Sequence, residues 1–202
     1  MLRLVLLLLV IASQAQASGR EAFDAFTKDL KTFRANFEQS VLDTNNAKTG
    51  IFLGQFYLNR PEQFRWDYVL PEPRKIIADG STLWMIDEDI EQVTQYPQGW
   101  ALRDTAAVIL LSNKPLEDSF KVVDLGHRQE LDWLELLPKN EDSDIVRILI
   151  AFEENRFKRL ELVDKFGQIS RFVFTEAYRN PPLDKELFEY TPPDEFSVFQ
   201  SN

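Results

Sequence analysis

The hydrophobic positions change period near the start of the chain, and that change predicts its first two elements. Phe23, Phe26, Leu30 and Phe33 recur at helical intervals behind Ser18-Gly19-Arg20-Glu21, whose Ser-x-x-Glu spacing is that of a capping box. A short amphipathic helix is expected there. From Phe33 the period falls to two: Phe33, Ala35, Phe37, Gln39 and Val41 alternate with mostly polar neighbours, as a half-buried strand requires. Similar short runs cover 50–58, 64–68, 75–78, 83–87, 91–95, 120–125, 132–137, 145–152, 157–164, 169–177 and 187–190. Asp79-Gly80 and Phe166-Gly167 place a residue suited to positive φ between neighbouring runs, the chemistry of tight hairpins. The pattern predicts an antiparallel meander. It shows no strand–helix alternation, no glycine-rich phosphate loop and no internal repeat.

Two segments interrupt the meander. Residues 101–111 contain Thr105-Ala106-Ala107-Val108-Ile109-Leu110-Leu111, an apolar patch bounded by Asn113 and Pro115, which suits a short helix, although Val and Ile equally permit a strand. Residues 178–185, with Pro181-Pro182, form a loop, and Pro192-Pro193 ends the run that follows. In Ile51-Phe52-Leu53-Gly54-Gln55-Phe56-Tyr57-Leu58 both faces are apolar: Phe52, Phe56 and Leu58 on one, Ile51, Leu53 and Tyr57 on the other. A curved sheet with helices on its concave side would bury the inward face, and it encloses a cavity where that packing is incomplete. Sixteen Phe, four Trp and five Tyr can line such a cavity or fill a closed core.

Ahead of this pattern, Arg3 precedes nine apolar residues, 4–12, and then Ser13-Gln14-Ala15-Gln16-Ala17. That is the form of a secretory signal peptide over 1–17, too short to span a bilayer and offering small residues for cleavage after Ala17. The remainder, 18–202, is expected to be one domain exported to the periplasm, without stable membrane insertion. The formal charge of −10, one unit more negative without Arg3, argues against nucleic acid and against lingering on anionic lipid. With no cysteine there is no disulfide, thiolate zinc site or cysteine nucleophile.

Catalysis finds little support. His127, in Leu125-Gly126-His127-Arg128, is the only histidine and reads as part of an exposed turn. No Gly-x-Ser-x-Gly elbow is present, and Asp87-Glu88-Asp89, Glu153-Glu154 and 141–144 lack the spacing of a calcium loop. No enzyme, metal or other cofactor is expected.

Asn59-Arg60-Pro61-Glu62-Gln63-Phe64-Arg65-Trp66 resembles the Arg-Pro-x-x-Phe-x-Trp motif of the periplasmic outer-membrane lipoprotein carrier family, LolA. Matches continue in order with Gly50 and Gly54, Asp79-Gly80-Ser81-Thr82-Leu83-Trp84, Ile90-Glu91-Gln92-Val93 and Phe188-Glu189-Tyr190-Thr191-Pro192-Pro193. The resemblance implies a mainly β protein with short helices, an incomplete antiparallel β-barrel with a helical lid over a hydrophobic cavity. It implies a monomer that takes acylated lipoproteins from the inner-membrane ABC-type release complex, LolCDE, and passes them to the outer-membrane receptor LolB. A related lipid-binding or stress-sensing module with another amphiphilic ligand is the alternative. By motif position Arg60 would latch a lid that includes Ala106, Ala107, Val108, Ile109 and Leu110, while Phe52, Phe56, Phe64, Trp66 and Trp84 would line the acyl cavity. The chain departs from the family at Thr105-Ala106, where Thr-Pro is usual, and at 194–198, where a glycine-containing ending is usual.

Overall fold

A computed structural model of the protein describes residues 18–101, 107–112 and 114–201. The predicted signal peptide and Ala106 lie outside these described residues. Helix α1 (Gly19–Thr27) begins with the capping box foreseen above: the Ser18 hydroxyl accepts from the Glu21 amide and the Glu21 carboxylate accepts from the Ser18 amide. The strands are β1 (Thr32–Leu42), β2 (Lys48–Asn59), β3 (Gln63–Leu70), β4 (Arg74–Ala78), β5 (Thr82–Asp87), β6 (Gln92–Pro97), β7 (Phe120–Arg128), β8 (Leu131–Pro138), β9 (Ile145–Glu153), β10 (Arg156–Asp164), β11 (Ile169–Arg179) and β12 (Ser197–Gln200). Short helices α2 (Gln98–Ala101) and α3 (Ala107–Leu111) follow β6, so the apolar run 107–111 is helix rather than strand, and among the described residues no helix is long and apolar enough to cross a membrane.

Among the described residues, the twelve strands join one sheet in the order β12-β6-β5-β4-β3-β2-β1-β11-β10-β9-β8-β7. The edges β12 and β7 do not pair, so the barrel is incomplete. Gly80 and Gly167 adopt positive φ in their hairpins. Between β7 and β8, and between β9 and β10, Gln129-Glu130 and Glu154-Asn155 take the left-handed conformation instead, which explains why those turns carry no glycine signal.

Helix α1 lies in the hollow of the sheet against β7–β10. Phe26 stacks on Phe157 at 5.5 Å and meets Phe33 edge-on at 5.4 Å, while Phe23 meets Phe152 at 6.3 Å. This half of the concave side is solid core. A second, smaller cluster of Ile77, Ile86 and Val93 lies on the opposite face of β4–β6, where Trp84, Tyr190 and Phe196 cover it.

Three expectations need correction. Residues 187–190 are not a strand: Lys185–Phe188 is a 3-10 helix because Asp184 caps it, accepting from the Glu186 amide, and Phe188 is buried beneath it. The meander is not wholly antiparallel, since β12, which the alternation did not reveal, runs parallel to β6. His127 sits in β7 rather than a turn, its Nδ1 2.8 Å from Asp132 on β8.

Candidate functional site

The β2–β3 turn places Arg60 beside two helix ends. Its Nε donates to Leu110 O at 2.6 Å, and Nη1 donates to Thr27 O at 3.5 Å. Both acceptors lie near helix C-termini, where the last carbonyls have no intrahelical partner. A guanidinium suits the position because its donors are fixed in a planar fork. Partial burial pulls the Arg60 pKa down, yet the group keeps its charge at neutral pH. Arg179 on β11 caps the same end of α1, donating through Nε to Phe26 O at 3.0 Å. Arg179 has no counterpart in the sequence reading, since only the fold brings β11 against α1.

Ile109, Leu110 and Leu111 of α3 are buried. Two clefts flank this segment. One, of about 370 Å³, lies on the α1 side with Phe23, Thr27, Arg60, Ile109 and Leu116 in its wall. The other, of about 440 Å³, is lined by Pro61, Gln98, Ile109, Leu111, Leu116 and Phe120. Ile109, Ser112, Lys114, Pro115 and Leu116 line both, so α3 and the turn after it form the partition. Each cleft lies near the small end of the range for a single small-molecule pocket, roughly 300–1,000 Å³. A bulkier ligand requires the partition to move.

Strand parity brings four of the five aromatic candidates to one face. Phe52 is T-shaped to Tyr68 at 6.0 Å, and Phe56 lies 4.7 Å from Trp66 and 6.4 Å from Phe64. Phe56 and Phe64 are packed in the core rather than facing open space, whereas Phe52 and Trp66 are half-buried. Trp84 does not join them. Its neighbours in sequence, Leu83 and Met85, take the inward parity, so Trp84 points outward, packs on Tyr190 at 5.6 Å and donates its indole N–H to Asp79 at 2.9 Å. Of the lid residues, Ala107 and Val108 fall within α3, and Ile109 and Leu110 face the core.

Residues 28–191 match the family model described as outer membrane lipoprotein carrier protein LolA. The chain belongs to the LolA family. Among LolA-family relatives, the outer-membrane lipoprotein carrier protein of Methylococcus capsulatus is 35% identical, over 94% of this chain and 91% of its own. That of Chromobacterium violaceum is 37% identical, over 91% of this chain and 88% of its own. The fold is also that of an uncharacterized conserved protein from Thermus thermophilus, with a TM-score of 0.58 at 14% identity, covering 90% of this chain and 98% of the other. Among the described residues of this LolA-family chain, no three Asp, Glu or His side chains converge as a metal site would require.

Proposed function

We propose that this protein carries acylated lipoproteins across the periplasm, holding their acyl chains in the space that opens when α3 lifts from the concave face. The Arg60–Leu110 hydrogen bond, standing on the partition between two clefts that the buried side chain of Ile109 separates, is the observation that carries this reading. Burying acyl chains is worth about 0.8 kcal/mol per methylene. A few methylenes therefore offset the about 1.5–3 kcal/mol of a hydrogen bond to a charged group, and filling the hollow drives the latch open. Delivery then needs only a receptor that binds the chains more tightly, with no chemical step in the carrier. The LolCDE release complex and the LolB receptor are the donor and acceptor in this proposal, and the carrier works as a monomer.

The test is to incubate the purified protein with spheroplasts and assay the soluble fraction for lipoproteins. Lipoproteins released in complex with it support the reading. Complete retention in the membrane defeats it, and a different co-purifying amphiphile, identified by mass spectrometry, would replace the cargo.

A further inference from the structure

Among the described residues, the buried side-chain polar atom left without a hydrogen-bond partner is Trp66 Nε1. Its surroundings offer rings rather than acceptors: Phe56 at 4.7 Å, Phe37 and Phe172 both at 5.0 Å, and Tyr68 stacked at 6.4 Å. The Tyr68 hydroxyl is already committed to Gln39 Oε1 at 2.9 Å. Leaving such a donor buried and unpaired costs about 1–3 kcal/mol. A phenylalanine would fill the face with no such cost, so a site for hydrocarbon alone gives no reason for the indole.

The register across the sheet shows which side chains share the face of Trp66. Trp66 pairs with Ile76, Ile76 with Met85, Met85 with Thr94 and Thr94 with Phe199, which places all five side chains on the same face. Along this row Trp66, Ile76 and Thr94 are half-buried, whereas Met85 is 36% and Phe199 52% exposed. Helix α1 packs against β7–β10 and α3 against β2 and β3, while the short α2 meets β5 and β6. A row that is apolar except at Thr94, and exposed at Met85 and Phe199, therefore leads along one face to Trp66, whose buried indole N–H is unpaired.

We propose that Trp66 Nε1–H recognises an acyl carbonyl, so that this face selects chains attached through ester or amide linkages over bare hydrocarbon. This rests on the carrier reading and adds to it a chemical class of ligand. Trp66 contributes orientation as well as apolar contact, because one fixed donor positions the linkage while the chains find their own packing.

The experiment compares 1,2-dioctanoylglycerol with its ether isostere, 1,2-di-O-octylglycerol, by calorimetric titration of the wild-type protein and of Trp66→Phe. The two lipids share chain length and headgroup and differ in their carbonyls. Wild-type protein should bind the ester roughly fivefold more tightly, as one net hydrogen bond allows, and the preference should vanish in Trp66→Phe. Equal wild-type binding of the two lipids, or a preference that survives the substitution, overturns the proposal and leaves the carrier reading standing. Binding of neither lipid defeats both. An independent readout needs no variant: with four tryptophans in the chain, one indole ¹⁵N–¹H resonance should shift on adding the ester and stay in place with the ether. Identical responses to both lipids count against the proposal.

Discussion

Gly54 of β2 and Asp67 of β3 approach so closely that no side chain fits between them. A Cβ on Gly54 would lie 2.0 Å from Asp67 O and 2.5 Å from the Phe37 ring. The first contact is backbone, which yields only if the strands part. Gly54→Ala should lower stability by at least about 1–3 kcal/mol, seen as a lower denaturant midpoint. An unchanged midpoint would show that the two strands separate freely here.

Arg60 ties the two helix ends together, so its removal should act on α3 before it acts on the sheet. In Arg60→Leu the amides of Ile109, Leu110 and Leu111 should exchange with solvent at least about tenfold faster, with little change in the thermal midpoint. Transfer of bound lipoprotein to the receptor should be impaired. Arg60→Lys, retaining charge without the fork, should fall between the two. Wild-type exchange and transfer in Arg60→Leu would remove the latch.

Tyr68 gives a pH dependence at the alkaline end. Burial pushes its hydroxyl up to about 12. An unfolded tyrosine loses its proton near pH 10, so the folded state holds one proton more between roughly pH 10 and 12. Stability falls with rising pH across that window, by about 1.4 kcal/mol per unit from this group, and is full below it. Tyr68→Phe should flatten the alkaline limb of a stability–pH curve, and the wild-type-minus-variant absorbance should show tyrosinate forming only near the upper end.

Asp79 organises the β4–β5 hairpin, accepting from the Ser81 and Thr82 amides at 2.8 Å each and from the Trp84 indole at 2.9 Å. Partial burial pushes its pKa up, but these hydrogen bonds together outweigh it and hold the carboxyl below its ordinary value. The stabilisation is therefore present above the ordinary carboxylate range and lost as pH falls through the lowered pKa. Asp79→Ala should cost about 1 kcal/mol at neutral pH, since much of the group remains solvated. Asp79→Asn should weaken the acid dependence while keeping part of the hairpin's stability.

Most of the strands were legible because a two-residue period is a local property: Phe33, Ala35 and Phe37 must share a face wherever the strand goes. The capping box at Ser18 and the hairpin glycines Gly80 and Gly167 were legible for the same reason. Trp84 misled because parity runs only along one strand. The turn at 79–81 separates β4 from β5, so which face Trp84 takes depends on the pairing of Trp84 with Ile77 across the hairpin. His127, Arg179 and β12 were missed for a related reason: each is defined by a partner distant in sequence or in another strand.

The amino-acid sequence by itself determined the alternation, the caps, the export signal pattern and the motif order that mark the family, because each is carried by neighbouring residues. Only the tertiary structure decided that Arg60 meets Leu110 and Thr27, that α3 divides two clefts, and that Trp66 keeps a buried donor unpaired. Those relationships depend on sheet curvature and on helices returning to the concave face. Such long-range packing is set by the sum of many contacts rather than by any one segment.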